Sequence, residues 1–182
     1  MDSADSDVSV TVWALMALRA AKLRGLNVPQ DHFDQGMDYV LLCRHESGGF
    51  CYCKGGGNNV GMTAAAIVAL ELCGRPDHPS IQTARGYLLE NQSKRVKPPL
   101  LAICGDFYGS RAAILAGGVY WERWSLLLYE QAQKAQQADG AWEDGVGDEL
   151  GRSCTTALTI LALTSTHDQL SVFQREKTAS AK

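Results

Sequence analysis

The chain has 182 residues, 46% of them hydrophobic and 20% charged, with a formal net charge of −3. That balance fits a globular core and leaves no basic footprint for nucleic acid. No uninterrupted apolar run reaches the ~18–20 residues that cross a bilayer, and the acidic start from Met1 to Asp7 lacks the basic-then-apolar order of a secretion signal.

Val8 to Arg24 is rich in Ala, Leu and Met and is stopped by Gly25, so it reads as a first helix. Asp31 to His45 follows as an amphipathic helix carrying Phe33, Met37, Val40 and Leu41. A loop holding Gly48, Gly49, Gly55, Gly56 and Gly57 leads to a second apolar helix, Val60 to Cys73, ended by Gly74. Pro79 to Gln92 is again amphipathic, with Ile81, Ala84, Leu88 and Leu89 on its apolar positions. Pro98-Pro99 interrupts the next loop, and a shorter apolar helix is expected from Tyr108 to Ala116, before Gly117-Gly118. Tyr120 to Gln137 carries Trp121, Trp124, Leu127 and Leu128 on one face. An acidic, Gly-containing loop with Asp139, Glu143, Asp144, Asp148 and Glu149 then precedes the last apolar helix, Ser153 to Leu163. The expected organisation is a single repeat domain over 1–168 and a polar tail over 169–182 that frays.

The apolar helices share a pattern: a hydroxyl residue, an aliphatic residue four positions on and Ala six on. It reads Thr11…Leu15-x-Ala17, Thr63…Ile67-x-Ala69, Ser110…Ile114-x-Ala116 and Thr156…Ile160-x-Ala162, with the hydroxyls 52, 47 and 46 residues apart. A period of this size marks an array of supersecondary units. The four repeat helices are apolar nearly all round and belong inside; the three amphipathic helices between them form an outer layer with one wet side.

The third outer helix ends Gln136-Gln137-Ala138-Asp139-Gly140-Ala141-Trp142 and is followed by a Thr-Thr-Ala-Leu helix. This resembles the Gln–Trp repeat of squalene–hopene cyclases and related terpenoid cyclases. The second outer helix, ending at Gln92, looks like the front half of that motif, and Ser47-Gly48-Gly49-Phe50 like the back half with Phe in place of Trp. A Gln at a helix end can bond orphan backbone groups, a Trp ring can cover its amide, and Gly permits the turn between them. Gln92, Gln136, Gln137, Asp139, Gly140 and Trp142 are therefore expected to be structural. The resemblance implies an all-α fold, an α/α toroid of alternating inner and outer helices. A complete ring holds about six pairs, so the roughly three and a half pairs seen here form a partial barrel corresponding to the family's C-terminal part.

The catalytic signatures of that superfamily are missing. No Asp-x-Asp-Asp occurs; the nearest cluster, Asp2…Asp5…Asp7, has the wrong spacing. Protein prenyltransferase β subunits place a zinc-ligating His in a stretch resembling Asp-Phe-Tyr-His, and here the match is Asp106-Phe107-Tyr108-Gly109. The resemblance implies that inner-helix N-termini face the central cavity. Asp106, with Tyr108 and Arg111, is accordingly the best candidate for ligand contact, set against plain N-capping by Asp7, Asn59 and Asp106. Cys43-x-His45 and Cys51-x-Cys53 lack the spacing of zinc knuckles, and most of the six cysteines read as small buried hydrophobes. Trp121 and Trp124, at i and i+3, read as a packing face. No cofactor and no metal is expected.

Two functions remain: a binding or scaffold module without a catalytic motif, or part of an isoprenoid cyclase or transferase whose catalytic residues lie elsewhere. The expected partners are a hydrophobic or isoprenoid small molecule, with the open ends of the ring covered by a second copy (a homo-oligomer) or by a missing N-terminal half.

Overall fold

The computed structural model describes residues 6–94, 99–143, 151–167 and 170–175. Seven helices lie among them: α1 (Val8–Leu23), α2 (Gln30–Leu42), α3 (Val60–Leu72), α4 (Pro79–Asn91), α5 (Pro99–Ala116), α6 (Gly118–Ala135) and α7 (Arg152–Leu163). A two-residue ribbon, β1 (Phe50–Cys51) and β2 (Asn58–Asn59), pairs antiparallel with Phe50 opposite Asn59. Two 3₁₀ turns, Ser165–His167 and Ser171–Phe173, follow α7. The protein is an all-α array of inner helices α1, α3, α5 and α7 alternating with outer helices α2, α4 and α6.

The inner helices form the core. α3 packs against both α1 and α5, α5 packs against α7, and all thirteen residues of α3 are buried. Its all-round apolar sequence has this physical reason. The outer helices bury one stripe each: Phe33, Met37 and Val40 in α2, Ile81, Ala84 and Leu88 in α4, Trp124, Leu128 and Ala132 in α6.

The repeat hydroxyls occupy matching seats. Thr63 Oγ1 donates to the Asn59 carbonyl at 2.7 Å and accepts the Phe50 N–H at 2.9 Å. Thr156 Oγ1 accepts the Trp142 N–H at 3.1 Å and donates to the Trp142 carbonyl at 3.3 Å. Each hydroxyl thus pins an aromatic residue within the connection that precedes its helix. Ser110 donates to the Asp106 carbonyl at 2.7 Å and accepts the Trp124 indole N–H at 3.3 Å, so a side chain from α6 takes the place of the loop amide. Thr11 donates to the Asp7 carbonyl at 2.6 Å.

Asp7 and Asn59 are N-caps: their side chains accept the Val10 and Met62 N–H groups at 2.9 and 2.8 Å. Asp106 is not. α5 begins at Pro99, well before the expected Tyr108, because proline at a first helical position sacrifices no hydrogen bond and has its φ already set. Asp106 therefore lies about two turns inside the helix. The tail also differs from a frayed end over part of its length. Leu170–Arg175 is docked, with Val172 and Phe173 packed against the core. The Asp2…Asp5 cluster, the acidic positions Asp144, Asp148 and Glu149, and the tail from 176 on lie outside the described residues.

Replacing Thr63 by Val keeps its shape but strands the buried Phe50 N–H. The expected loss is about 1–3 kcal/mol, read as a fall of several degrees in melting temperature, with Thr63→Ser close to wild type. Burial raises the Asp7 carboxyl, but bonds from the Ser9 hydroxyl, the Val10 N–H and the Tyr52 hydroxyl outweigh it and hold the group below its ordinary value of 3.8. The cap's contribution is accordingly present above that value and lost as pH falls through the depressed one. Asp7→Ala should be less stable by about 1 kcal/mol at pH 7, and the gap should close under acid in denaturant titrations.

Candidate functional site

The three candidate ligand residues share α5 but do not share a site. Asp106 is half-buried and lines a small hollow with Gln92, Trp124 and Gln131, toward the outer layer. Tyr108 and Arg111 lie elsewhere, within an aromatic cluster. Trp13 of α1 stacks on Phe107 with centroids 5.9 Å apart and meets Tyr108 edge-on at 5.6 Å; Phe107 meets Tyr108 at 5.0 Å and Phe173 of the tail at 5.5 Å. The Arg111 guanidinium lies 4.9 Å from the Phe173 ring centroid and 5.9 Å from that of Phe107. Aromatic edge-to-face and cation–π contacts of this kind stabilise beyond the area they bury. Trp13 remains 45% exposed, so the cluster reaches solvent on one side. Tyr108 is buried, and its hydroxyl has no hydrogen-bond partner among the described residues. Burial, reinforced by the Cys104 thiol, pushes its phenol well above the ordinary value, so it stays a neutral donor.

A second polar layer lies where the inner helices end. Arg111 donates to the Leu161 and Ser165 carbonyls at the end of α7, at 3.3 and 3.1 Å. Arg19 of α1 donates to the Leu72 carbonyl at the end of α3, and to the Val172 and Gln174 carbonyls of the tail at 2.9 and 2.7 Å. Arg175 donates to the Leu115 carbonyl near the end of α5 at 2.8 Å and to Glu71 at 2.5 Å; buried Glu71 is also paired with Arg85. Helix ends leave carbonyls unpaired and carry partial negative charge, so each of these guanidinium groups is matched to its place. A hollow of about 340 Å³ opens beside this layer, lined by Arg19, Lys22, Phe33, Glu71, Cys73 and Arg175. It sits at the C-terminal ends of α1 and α3, whereas the resemblance places a cavity at the N-terminal ends.

The Gln136–Trp142 turn is tightly bonded. Gln136 Nε2 donates to the Gly140 carbonyl at 2.9 Å, the Gln137 N–H to the Ala141 carbonyl at 2.8 Å, and the Trp142 indole to the Ala132 carbonyl of α6 at 2.8 Å. Gly140 takes φ +89° in this turn. Asp139 pairs with Arg152 at the start of α7, so the turn also fixes the next helix. Both the indole and a Gln amide thus reach carbonyls of the last turn of α6, since Gln137 Nε2 also donates to the Ala135 carbonyl at 3.3 Å. Gln92 follows α4 and faces α6 across the Asp106 hollow.

Position 109 is closed. A Cβ there would stand 1.8 Å from the Trp124 ring, so no side chain fits while Trp124 fills its seat. The cysteine–histidine candidates do not converge either. Cys51 is buried and Cys53 exposed, although i and i+2 would share a face of a continuous strand, because β1 ends at Cys51; the His45 ring bonds Ser47. Burial pushes the Cys43 and Cys51 thiols above their ordinary values. Among the described residues no group of three or more His, Cys, Asp or Glu side chains is placed to hold a metal ion, and no helix is long and apolar enough to cross a membrane.

Sequence reasoning singled out Tyr108 and Arg111 but missed Trp13, Phe107, Phe173, Arg19 and Arg175. Their only advance signal was an arginine inside an apolar helix, Arg19, eight residues after a repeat hydroxyl. Phe173→Ala should release the docked tail: the Phe173 and Gln174 amides, bonded to Leu170 and Ser171, should exchange at least about tenfold faster, equivalent to about 1.4 kcal/mol, while α3 amides stay protected.

A family model described as the prenyltransferase alpha-alpha toroid domain matches residues 1–105. The match covers α1 to α4 and ends inside α5, just before Asp106. No curated protein and no solved structure matches the chain.

Proposed function

The chain belongs to the prenyltransferase alpha-alpha toroid domain family, and within it we propose that this chain is a binding module for an apolar, isoprenoid-like small molecule, without catalytic machinery of its own. The observation that carries the reading is the seating of Phe173: an apolar ring lodged against Phe107, under the Arg111 guanidinium and in the same cluster as the half-exposed Trp13. A prenyl chain, an unsaturated hydrocarbon that aromatic faces receive well, would take this seat by displacing Phe173. The absence of Asp-x-Asp-Asp and the sterically closed Gly109 speak against cyclase or transferase chemistry on this chain.

In this reading the Gln136–Trp142 turn is one complete Gln–Trp motif of the squalene-cyclase kind. It acts as a staple, supported by the bonds that join α6, the turn and α7. The exposed end faces of the array favour a second reading, in which further repeats outside this sequence complete an isoprenoid-active enzyme. In either case the open ends are places for protein contact.

Farnesol and farnesyl diphosphate are the probes. Saturable change in tryptophan emission is expected, with a thermal upshift of about 5–10 °C at a hundredfold excess over Kd. Trp13→Ala and Phe107→Ala should each weaken binding about tenfold or more. No change in emission or melting temperature up to the solubility limit of both probes would overturn the reading.

A further inference from the structure

Aligned on the repeat hydroxyl, the inner helices show a systematic pattern of burial. One face lies one position before and three and six after the hydroxyl. In α3 it is Met62, Ala66 and Ala69, all buried; in α7 it is Thr155 and Ala162, buried, with Thr159 half-buried. In α1 the same face is Val10, Ala14 and Ala17, all exposed, Val10 by 64%. The opposite face lies three before and one and four after. It is buried in α1 (Val8, Val12, Leu15) and in α3 (Val60, Ala64, Ile67). In α7 it is Ser153, Ala157 and Ile160, all exposed, Ile160 by 46%. At 100° per residue these faces are on opposite sides of each helix.

The two ends of the row therefore expose the two halves of one recurring inner-helix interface. Inside the chain that interface joins α1 to α3, α3 to α5 and α5 to α7. At its ends α1 lacks a helix before it, and α7 lacks one after it, among the described residues. The α7 end also carries an open hollow of about 380 Å³ bounded by Ala141, Arg152, Thr156 and Ile160, while the α1 end projects Val10.

We propose that these two ends dock on each other between copies of this chain, α7 of one copy against α1 of the next. A second copy is the occupant that fits because it covers both exposed faces with a single kind of contact, the one already repeated within the fold. Such a contact is heterologous: it closes into a ring where the rotation allows and otherwise continues. The inference rests on the faces of Val10, Ala14 and Ala17 and of Ser153, Ala157 and Ile160, none of which belongs to the aromatic cluster.

The test is the mass of the full chain by light scattering on a sizing column, as wild type and as Val10→Glu and Ile160→Glu. Both substituted positions are already exposed, and a glutamate at position 10 falls in the first turn, where the helix dipole favours it. Circular dichroism confirms folding in each. Wild type is expected at a multiple of 19.7 kDa at about 100 µM, where micromolar association is saturated. Each variant alone should run as one chain. A one-to-one mixture should yield a two-chain species, because one native α7 end and one native α1 end remain. A wild type that stays at one chain overturns the proposal. So does assembly that survives Ile160→Glu, which would mark an α1-to-α1 contact, or a mixture that remains one chain.

Discussion

The structure depends on how the carbonyl ends of its inner helices are satisfied. Arg19 links the end of α3 to the docked tail, and Arg175 links the end of α3 to that of α5. Inner helices whose C-terminal ends meet in this way run parallel, and their unpaired carbonyls and negative dipole ends accumulate in one layer. Without cations there, buried carbonyls would go unpaired, a penalty of about 1–3 kcal/mol each. Guanidinium suits the task because its fork serves several acceptors at once and is desolvated more readily than an ammonium. Glu71, buried between Arg85 and Arg175, balances the charge thus imported.

The opposite ends are organised by hydroxyls. Thr63 and Thr156 each receive the backbone N–H of an aromatic residue in the preceding connection, across thirteen and fourteen residues. The seat ties the middle of each connection to the first turns of the next inner helix. In the third repeat the Trp124 indole fills the same seat on Ser110. That substitution has a consequence for chemistry. Trp124 reaches its place by crossing Gly109, and the space a side chain would need at that position is gone.

Between these two layers the middle of the array is filled. Trp13, Phe107 and Tyr108 bridge α1 and α5, and Phe173 enters from the chain's own tail. The membership shown for the family model is thus realised with an interior occupied by aromatic rings. Small residues along α3, among them Ala64, Ala65 and Ala69, keep the central helix slim enough to be enclosed on every side.

The repeat, the alternation of inner and outer helices and the two N-caps were determined by the sequence alone, because each rests on local physics: apolar periodicity, the reach of a short polar side chain, and glycine stops. The start of α5 was misread because Pro98-Pro99 looks like a break, although Pro99 suits a helix start as well as a loop. Tyr108 and Arg111 were singled out as companions of Asp106 near the expected start of an inner helix; their aromatic neighbours were not. Only the tertiary structure decided that Asp106 faces the outer layer, that Arg111 caps α7, and that Leu170–Arg175 docks against Arg19 and Phe107. Those pairings join residues as far apart as 19 and 174. No spacing rule reaches that far, since such contacts depend on how the helices are stacked and not on what lies next along the chain.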